Sequence, residues 1–521
     1  MVFFLKEIIE PQKKIEVMYE VDVIVVGAGP AGIGAAIASG RNGAKTLLVE
    51  RFGSMGGLQV QGNNPIFSFV DPELHGGIMQ EILRRLKERG GLKNLDDVPR
   101  SVKTRFKNRV IDAVGVENLP KRFVETEVGY WGCWGICFDM EHYKFLLETM
   151  MEEAGVKILY HTFAVDVIRE DNLLKGIIIE SKEGRKAILG KVIIDVSGEG
   201  DIIWKSGAAC MGDQGIPIGE NKGRAGGYLN AFFIAGVDIE KFRAFKRENP
   251  KEWGQMYSGK TLIKKAKEEG AYIKGEAVVL SQLQDVYNAG RIYVMNAIHK
   301  IEPGAKSWMV EELTNCEFDL RKQVWAVYKM LKDNVPGFEN SYIESTPNLP
   351  CTGIGHKLMG EYVLTVGDMR KGRSFEDSVA INNMPPDIYE VVGRFAYDIL
   401  PHDIPYRCLI SKDIDNLMAA GTTLSSGTFA GGGLRYCTPS ICQGQAAGTA
   451  AALAAINNVT PKELDIKLLQ DTLREQGARV TIKDLSEEVL APYYAIKKMH
   501  IVFARTDAPV MGATEEEIEK H

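Results

Sequence analysis

Residues 21–26, Val-Asp-Val-Ile-Val-Val, run directly into Gly27-Ala28-Gly29-Pro30-Ala31-Gly32, and no other stretch of the 521-residue chain restricts its fold so tightly. The β-branched run reads as a buried parallel strand. The glycines that follow spell G-x-G-x-x-G at the point where a helix over 31–42 opens, and Lys45–Glu50 reads as a second strand. The three pieces predict a βαβ unit at the start of the chain. Gly27 permits the tight turn, Gly29 lets the backbone approach a pyrophosphate, and Gly32 allows close packing of helix on strand. The helix tip, with Pro30 and Ala31 in its first turn, presents free N–H groups and a positive dipole end to phosphates. Glu50 closes the second strand, where a carboxylate can accept hydrogen bonds from ribose hydroxyls and would repel a 2′-phosphate. NADP is therefore disfavoured, while this motif alone does not separate FAD from NAD.

A chain of this length exceeds one hydrophobic core, since domains usually hold about 100–200 residues. Hydrophobic residues make up 45% and charged residues 25%, which fits a globular protein. A net charge of −6 gives no electrostatic reason to expect nucleic acid or an anionic membrane surface. The N-terminus, Met1 to Glu7, is apolar for too few residues to form a signal-peptide core, and no uncharged run long enough for a membrane span stands outside the glycine-rich parts. The expectation is a cytoplasmic protein with free thiols on its eight cysteines.

Along the chain, 75–90 and 141–154 read as helices. Lys157–Tyr160, Ala164–Arg169, Leu174–Ser181 and Lys191–Asp195 read as strands, with turns at Asp171-Asn172 and Glu183-Gly184. A helix is expected over 317–333, within a stretch of mixed character. The predicted division is 1–65, first part of a nucleotide-binding domain; 66–140, a helical insertion; 141–214, its second part; 215–400, a substrate or cap domain; 401–460, its third part; and 461–521, a charged helical tail.

Further segments carry a family resemblance. Glu50-Arg51-Phe52-Gly53-Ser54-Met55-Gly56-Gly57, Asp195-Val196-Ser197-Gly198-Glu199-Gly200-Asp201, Pro405-Tyr406-Arg407-Cys408-Leu409, Asp415 to Gly421 and Gly444-Gln445-Ala446-Ala447-Gly448-Thr449-Ala450-Ala451 follow one another in order. Together with the first motif they resemble the FAD-dependent oxidoreductases of the glutathione-reductase-like superfamily. The resemblance runs from residue 21 to about 456. It implies an α/β fold: an FAD-binding Rossmann-type, three-layer domain of glutathione-reductase-like kind, with an inserted α+β substrate or cap domain. The implied cofactor is FAD. The implied cofactor-binding set is Gly27, Gly29, Pro30, Ala31, Gly32, Glu50, Arg51, Gly56, Gly57, Ala164, Val165, Ser197, Gly198, Gly200, Gly421, Gln443, Gly444, Gln445 and Ala446. In such proteins the paired glycines after the acidic residue lie along the flavin. A final helix starting near Gln443 would aim its N–H groups at the flavin N1–C2=O edge; the alternative is a Gly/Ala packing face, and both can hold together. The pattern breaks at Gly353-Ile354-Gly355-His356, where the family often carries Arg-x-x-Arg, and at Thr422, where Arg or Asp often follows the glycine.

A flavin carries the redox step, so the protein's task is to position substrate and manage protons. His356 in the divergent block and His402 before the Pro405-Tyr406-Arg407 segment are the histidines that could face the flavin, against a structural role for each. Arg435, after the Gly431-Gly432-Gly433 run, is the best candidate for a substrate or flavin contact, against an ordinary salt bridge. Cys133 and Cys137 stand at C-x3-C spacing, unlike the usual C-x-x-C redox pair. Cys437 and Cys442 suit packing more than reactivity, and Trp131 and Trp134 suit a core or an aromatic wall. No metal ligand set is expected.

The expected function is an FAD-dependent oxidoreductase acting on a small organic molecule, by hydride transfer to or from flavin N5. Oxidation of CH–OH and reduction of an activated C=C stay open. The alternative is a flavoprotein electron-transfer subunit passing electrons to a partner protein. A flavin-dependent RNA-modifying role is disfavoured by a pI near 5.9 and the lack of a basic stripe. No second complete G-x-G-x-x-G is present for a nicotinamide cofactor, so the external electron donor or acceptor is open. A homodimer is a habit of related folds.

Overall fold

Strand β1 (Glu16–Val26) is the axis of the larger sheet, and both of its faces are covered: Val23, Ile24 and Val25 have no exposed surface. The computed structural model describes residues 8–68, 70–92, 136–211, 228–253, 257–281, 287, 289–301, 308–350, 355–386, 399–498, 516 and 520. On one side β1 pairs in parallel with β2 (Thr46–Val49), which pairs in parallel with Lys157–Leu159. On its other side it pairs in parallel with the long strand Gly184–Asp195. That strand is shared. Its first half takes the antiparallel strand Leu173–Ser181, itself paired with Phe163–Glu170, and its last residues take the parallel strand Leu417–Ala419. Among the described residues the sheet has seven strands.

The parallel strands finish together. Val26 lies opposite Val49 and Asp195, and Asp195 lies opposite Ala419. Three loops that the sequence marks with glycine therefore leave one edge of one sheet, where ligands bind in open α/β folds. Helix α1 (Pro30–Arg41) covers one face and runs against the Cys437–Asn457 helix, here α6. Their contact is made by small residues. A Cβ on Gly34 would stand 2.3 Å from the Ile441 carbonyl, and one on Gly448 would stand 2.0 Å from the Ala35 carbonyl. Helices α2 (Ile78–Glu88) and α3 (Met140–Glu153) bury Ile82, Leu86, Leu146, Leu147 and Met150 in the same core.

The predicted helices over 75–90 and 141–154 match α2 and α3. The four strand candidates match Lys157–Leu159, Phe163–Glu170, Leu173–Ser181 and Gly184–Asp195, the last extended toward the N-terminus. The expected helix 317–333 is longer, Val310–Asn334 (α4). The stretch around it holds a second, antiparallel sheet beyond the mixed helices and loops expected there. Its five strands lie in the order Tyr257–Ser258, Val278–Ser281, Ile292–His299, Tyr228–Ala235, Tyr342–Ser345. Its central strand, Tyr-Leu-Asn-Ala-Phe-Phe-Ile-Ala, is buried at every position. It therefore shows none of the two-residue alternation by which a half-buried strand is recognised. Phe232, Ile234 and Val294 pack with Leu320, Val324 and Val327 of α4 into a core distinct from that of the larger sheet.

Candidate functional site at the carboxyl edge of the parallel sheet

Gly27 takes φ +102°, open to glycine and strained for other residues, and a Cβ on it would meet the Val196 carbonyl at 2.5 Å. Gly32 is packed as tightly, since a Cβ there would stand 1.9 Å from the Gly27 carbonyl. Gly29 is different: a Cβ on it would meet nothing closer than the Gly57 Cα, at 4.0 Å. The backbone is thus bare at the tip of α1. That helix starts with Pro30, has no side-chain cap and carries no acidic residue in its first turn. Its first N–H groups need acceptors from elsewhere, and phosphate oxygens fit that need.

The Glu50 carboxylate anchors the loop beside this tip. Oε2 accepts from the Ala28 N–H and Oε1 from the Phe52 N–H, each at 2.8 Å. Burial pushes its pKa up, opposed by those two donors and by the charge of Arg51. Each oxygen retains a lone pair for a ribose hydroxyl. Gly56 donates to the Ala28 carbonyl at 2.9 Å, and a Cβ on Gly57 would stand 2.8 Å from the Gly29 Cα, so the paired glycines lie against the phosphate turn. Ala164 and Val165 lie half-buried at the start of their strand, and the nearby Thr162 N–H donates to the Glu50 carbonyl at 3.1 Å.

At the end of the shared strand, Asp195 is a fully buried organiser. Its Oδ1 accepts from Ser197 N–H and O–H, and its Oδ2 accepts from Ile203 N–H. Ser197 Oγ in turn accepts from the N–H groups of Gly200 and Asp201. Gly198, at φ +92°, has open space where a Cβ would stand. Its carbonyl accepts from Thr422 Oγ, and the Asp195 carbonyl accepts from Thr423 Oγ, both at 2.8 Å, which ties the third strand end to the second. Gly421, at φ +72°, comes within 3.0 Å of the Ala31 Cβ, measured from where its own Cβ would be. The first, second and third glycine loops therefore meet at the tip of α1. Arg51 reaches Glu199 across the opening at 3.6 Å. Burial, then the charges of Asp195 and Glu199, push Asp201 up to about 7. Bare backbone, an uncapped helix and a ribose-type carboxylate fit a dinucleotide.

Gln443, Gly444, Gln445 and Ala446 sit elsewhere. Helix α6 begins at Cys437, so these residues lie in its interior, where backbone N–H groups bond along the helix and cannot face a ligand. The Gln443 side chain accepts from the Gly421 N–H at 2.8 Å and donates to the Leu434 carbonyl at 3.0 Å. Gln445 accepts from the Ile78 N–H at the start of α2. Gly444 is part of the seam with α1, where a Cβ would stand 2.0 Å from the Ala31 carbonyl. The expected helix start was misplaced because Gly-Gln-Ala-Ala-Gly reads equally as a ligand-facing tip and as a helix–helix contact. Thr438 at the real start donates to the Ser68 carbonyl, and Cys437 to the Ile66 carbonyl. Burial raises both thiols nearby, Cys442 to about 12, so neither is a reactive thiolate. Cys133, Trp131 and Trp134 lie outside the described residues; Cys137 is buried.

His356 stacks on Trp204 at 4.6 Å and 22°, with Trp308 at 4.5 Å, and its backbone N–H donates to the Glu199 carbonyl at 2.8 Å. It therefore flanks the second glycine loop. His402 does not join the edge. It is fully buried, with Nδ1–H donating to the Leu400 carbonyl at 2.8 Å and Nε2 accepting from Asn382 at 3.2 Å. Burial lowers its pKa to about 4, so it is a neutral structural ring. A proline-flanked histidine gave no sequence signal of that enclosure. Arg435 ends the short helix Thr428–Leu434 (α5), its guanidinium 5.2 Å from the Tyr436 ring centre. Lys357, outside the sequence-predicted set, pairs with Met211 and points at the same short helix, where a Cβ on Gly431 would stand 1.8 Å from its Nζ. Its Nζ lies 3.4 Å from Ser426 Oγ, and burial together with the charge of Arg435 lowers its pKa to about 8. The available signal was a single cation between Gly355 and Gly360 in an otherwise apolar and glycine-rich segment.

Comparison with known proteins places the chain in a family. The family described as FAD dependent oxidoreductase matches residues 22–473. A thiamine thiazole synthase of Saccharolobus islandicus is 24% identical over 265 residues, covering 47% of this chain and 84% of that protein. The thiamine thiazole synthase of Methanococcus vannielii is 25% identical over 263 residues, covering 47% and 85%. Among solved structures, a geranylgeranyl bacteriochlorophyll reductase-like protein from Thermoplasma acidophilum aligns over 96% of this chain and 95% of its own, at 13% identity and a TM-score of 0.43. No described helix is long and apolar enough to cross a membrane.

Proposed function

Since the chain belongs to the FAD-dependent oxidoreductase family, and so is a flavoenzyme with FAD as its cofactor, we propose that it oxidises or reduces a small organic substrate by hydride transfer at flavin N5. The observation that carries this reading is the meeting of three glycine loops at one sheet edge: the α1 tip, the Gly198 turn and Gly421. An extended dinucleotide needs several distant strand ends to converge on it, and a mononucleotide does not. We assign the larger sheet to a glutathione-reductase-like FAD-binding domain built from 1–65, 141–214 and 401–460, with 215–400 as the substrate or cap domain.

Bound FAD supplies two-electron chemistry at N5; the protein supplies orientation and protons. Glu50 would hold the ribose hydroxyls and the α1 tip the diphosphate. Gly56 and Gly57 would leave room along the flavin ring. Arg435 orients the substrate. His356, walled by Trp204 and Trp308, carries the proton that accompanies the hydride: away from a CH–OH group on oxidation, or toward the carbon that does not receive the hydride when a C=C is reduced.

The test is anaerobic photoreduction of the purified holoprotein, followed by mixing with polyols or enoates. Enoates that reoxidise the reduced flavin assign C=C reduction. Polyols that bleach the oxidised flavin assign CH–OH oxidation. A flavin that exchanges electrons with a protein carrier and with no compound of either class overturns the proposal.

A further inference from the structure

Gln445 lies where α6 passes the start of α2, and it is only 2% exposed. Its Oε1 accepts from the Ile78 N–H at 2.9 Å. That bond fixes which way round the amide sits, so Nε2 presents two N–H donors. Neither has an acceptor among the described residues. Gly77 makes room for the amide: it takes φ +59°, and a Cβ on it would stand 2.2 Å from Oε1 and 2.8 Å from Nε2. Nε2, unpaired yet not sealed off, opens on a surface cavity of about 570 Å³, which Arg41, Gln80, Arg84 and Gln476 also line. A cavity of that size accommodates a small organic molecule.

The rest of the lining calls for the same kind of partner. The carboxylate there, Glu81, is already held by Arg41 at 2.6 Å and by Arg85 at 3.2 Å. Arg84 meets the exposed Glu88 at 2.8 Å, a surface pair of little worth. Helix α2 follows Gly77, which brings no capping side chain. The Glu81 N–H bonds back to the Gly77 carbonyl at 3.1 Å, so the N–H groups of Met79 and Gln80 precede the helical ladder. Two guanidinium groups against one carboxylate, a helix start and an amide with spare N–H groups together suit an acceptor with negative charge.

We infer that this cavity binds a small molecule by an oxyanion, phosphate or carboxylate, with Gln445 Nε2 and the start of α2 donating and Arg84 supplying charge. The site is apart from the sheet edge, where Gln443 serves the Gly421 loop, and it does not depend on the flavin reading.

Protein saturated with FAD, so that phosphate cannot enter a vacant dinucleotide site, is titrated by calorimetry at constant ionic strength with inorganic phosphate, with citrate and with glycerol. Saturable binding of phosphate or citrate is expected, and none of glycerol. Phosphate alone would assign a phosphate ester, and citrate alone a carboxylic acid. Loss of a hydrogen bond to a charged acceptor should weaken binding about tenfold or more in Gln445→Met, which keeps the side-chain length. Arg84→Glu, a change at the surface, should abolish it. If Gln445→Met fails to fold for want of the Ile78 contact, Arg84→Glu and a smaller loss in Arg84→Ala still decide. Three results overturn the inference: no saturable binding of either anion, wild-type affinity in a folded Gln445→Met, or wild-type affinity in Arg84→Glu.

Discussion

Gly444→Ala puts one methyl group into the seam between α6 and α1. In a free helix the change would stabilise by about 1 kcal/mol, because alanine is the better helix former. Here the new Cβ would stand 2.0 Å from the Ala31 carbonyl oxygen and 2.8 Å from its carbon, against an ordinary contact that begins at 3.4 Å. The helices must part by about 1.4 Å, and the obstructing atoms are backbone, which cannot rotate away. Overpacking of this kind costs roughly 1–3 kcal/mol, so the net sign is destabilising. The functional effect follows from where the strain falls. Ala31 is in the first turn of α1, and a shift of that size takes an N–H to phosphate bond from about 2.9 Å out of hydrogen-bonding range. One lost bond to a charged acceptor is worth about 1.5–3 kcal/mol, so FAD should bind roughly tenfold or more weakly. Gly448→Ala is the internal control. Its Cβ would meet the Ala35 carbonyl at the same 2.0 Å, one turn farther from the tip. Both variants should lower the urea midpoint, followed by tryptophan fluorescence. The first should lose the more FAD affinity, measured by flavin quenching on titrating apoprotein. Wild-type FAD affinity in a destabilised Gly444→Ala would refute the placement of phosphate at the α1 tip, and wild-type stability would refute the rigid seam.

Three further outcomes are expected. Glu50→Ala strands the Ala28 and Phe52 N–H groups at about 1–3 kcal/mol each, and Glu50→Gln, which keeps one acceptor oxygen, should lose less; equal urea midpoints for wild type and Glu50→Ala would contradict this. Asp201, held near 7 in the folded protein and near 3.9 when unfolded, keeps a proton that the unfolded chain has released. Its contribution therefore favours folding below about pH 4 and is lost as pH rises through 7. Asp201→Asn should gain on wild type across that window by an amount on the order of a few kcal/mol, and parallel stability curves would sink the assignment. His402, with a folded pKa near 4, destabilises the protein as pH falls from about 6.5 toward 4, because the unfolded chain takes up the proton first. His402→Gln should lower stability at neutral pH and leave the shape of the kcat–pH profile unchanged; a lost ionisation in that profile would restore His402 to the chemistry.

The amino-acid sequence by itself determined the first βαβ unit, the role of Gly27, Gly29 and Gly32 in it, and the choice of Glu50 as its terminal carboxylate. These are local matters: a strand, a turn with positive φ and a helix start each depend on a few adjacent side chains and leave a readable spacing. The sequence also marked Gly198 and Gly421 as special, but not that Thr422 and Thr423 would lash their loops together. Only the tertiary structure decided which face of a glycine-rich helix meets a ligand and which meets another helix, so Gly444 moved from the cofactor to the seam. It alone decided that His402 is enclosed while His356 is at the edge, and that Arg51 comes within 3.6 Å of Glu199. Burial and the approach of two charges are pair properties of segments far apart in the chain. Neither has a local periodicity to betray it, and the strand Tyr228–Ala235, buried at every position, lacks the two-residue alternation for the same reason.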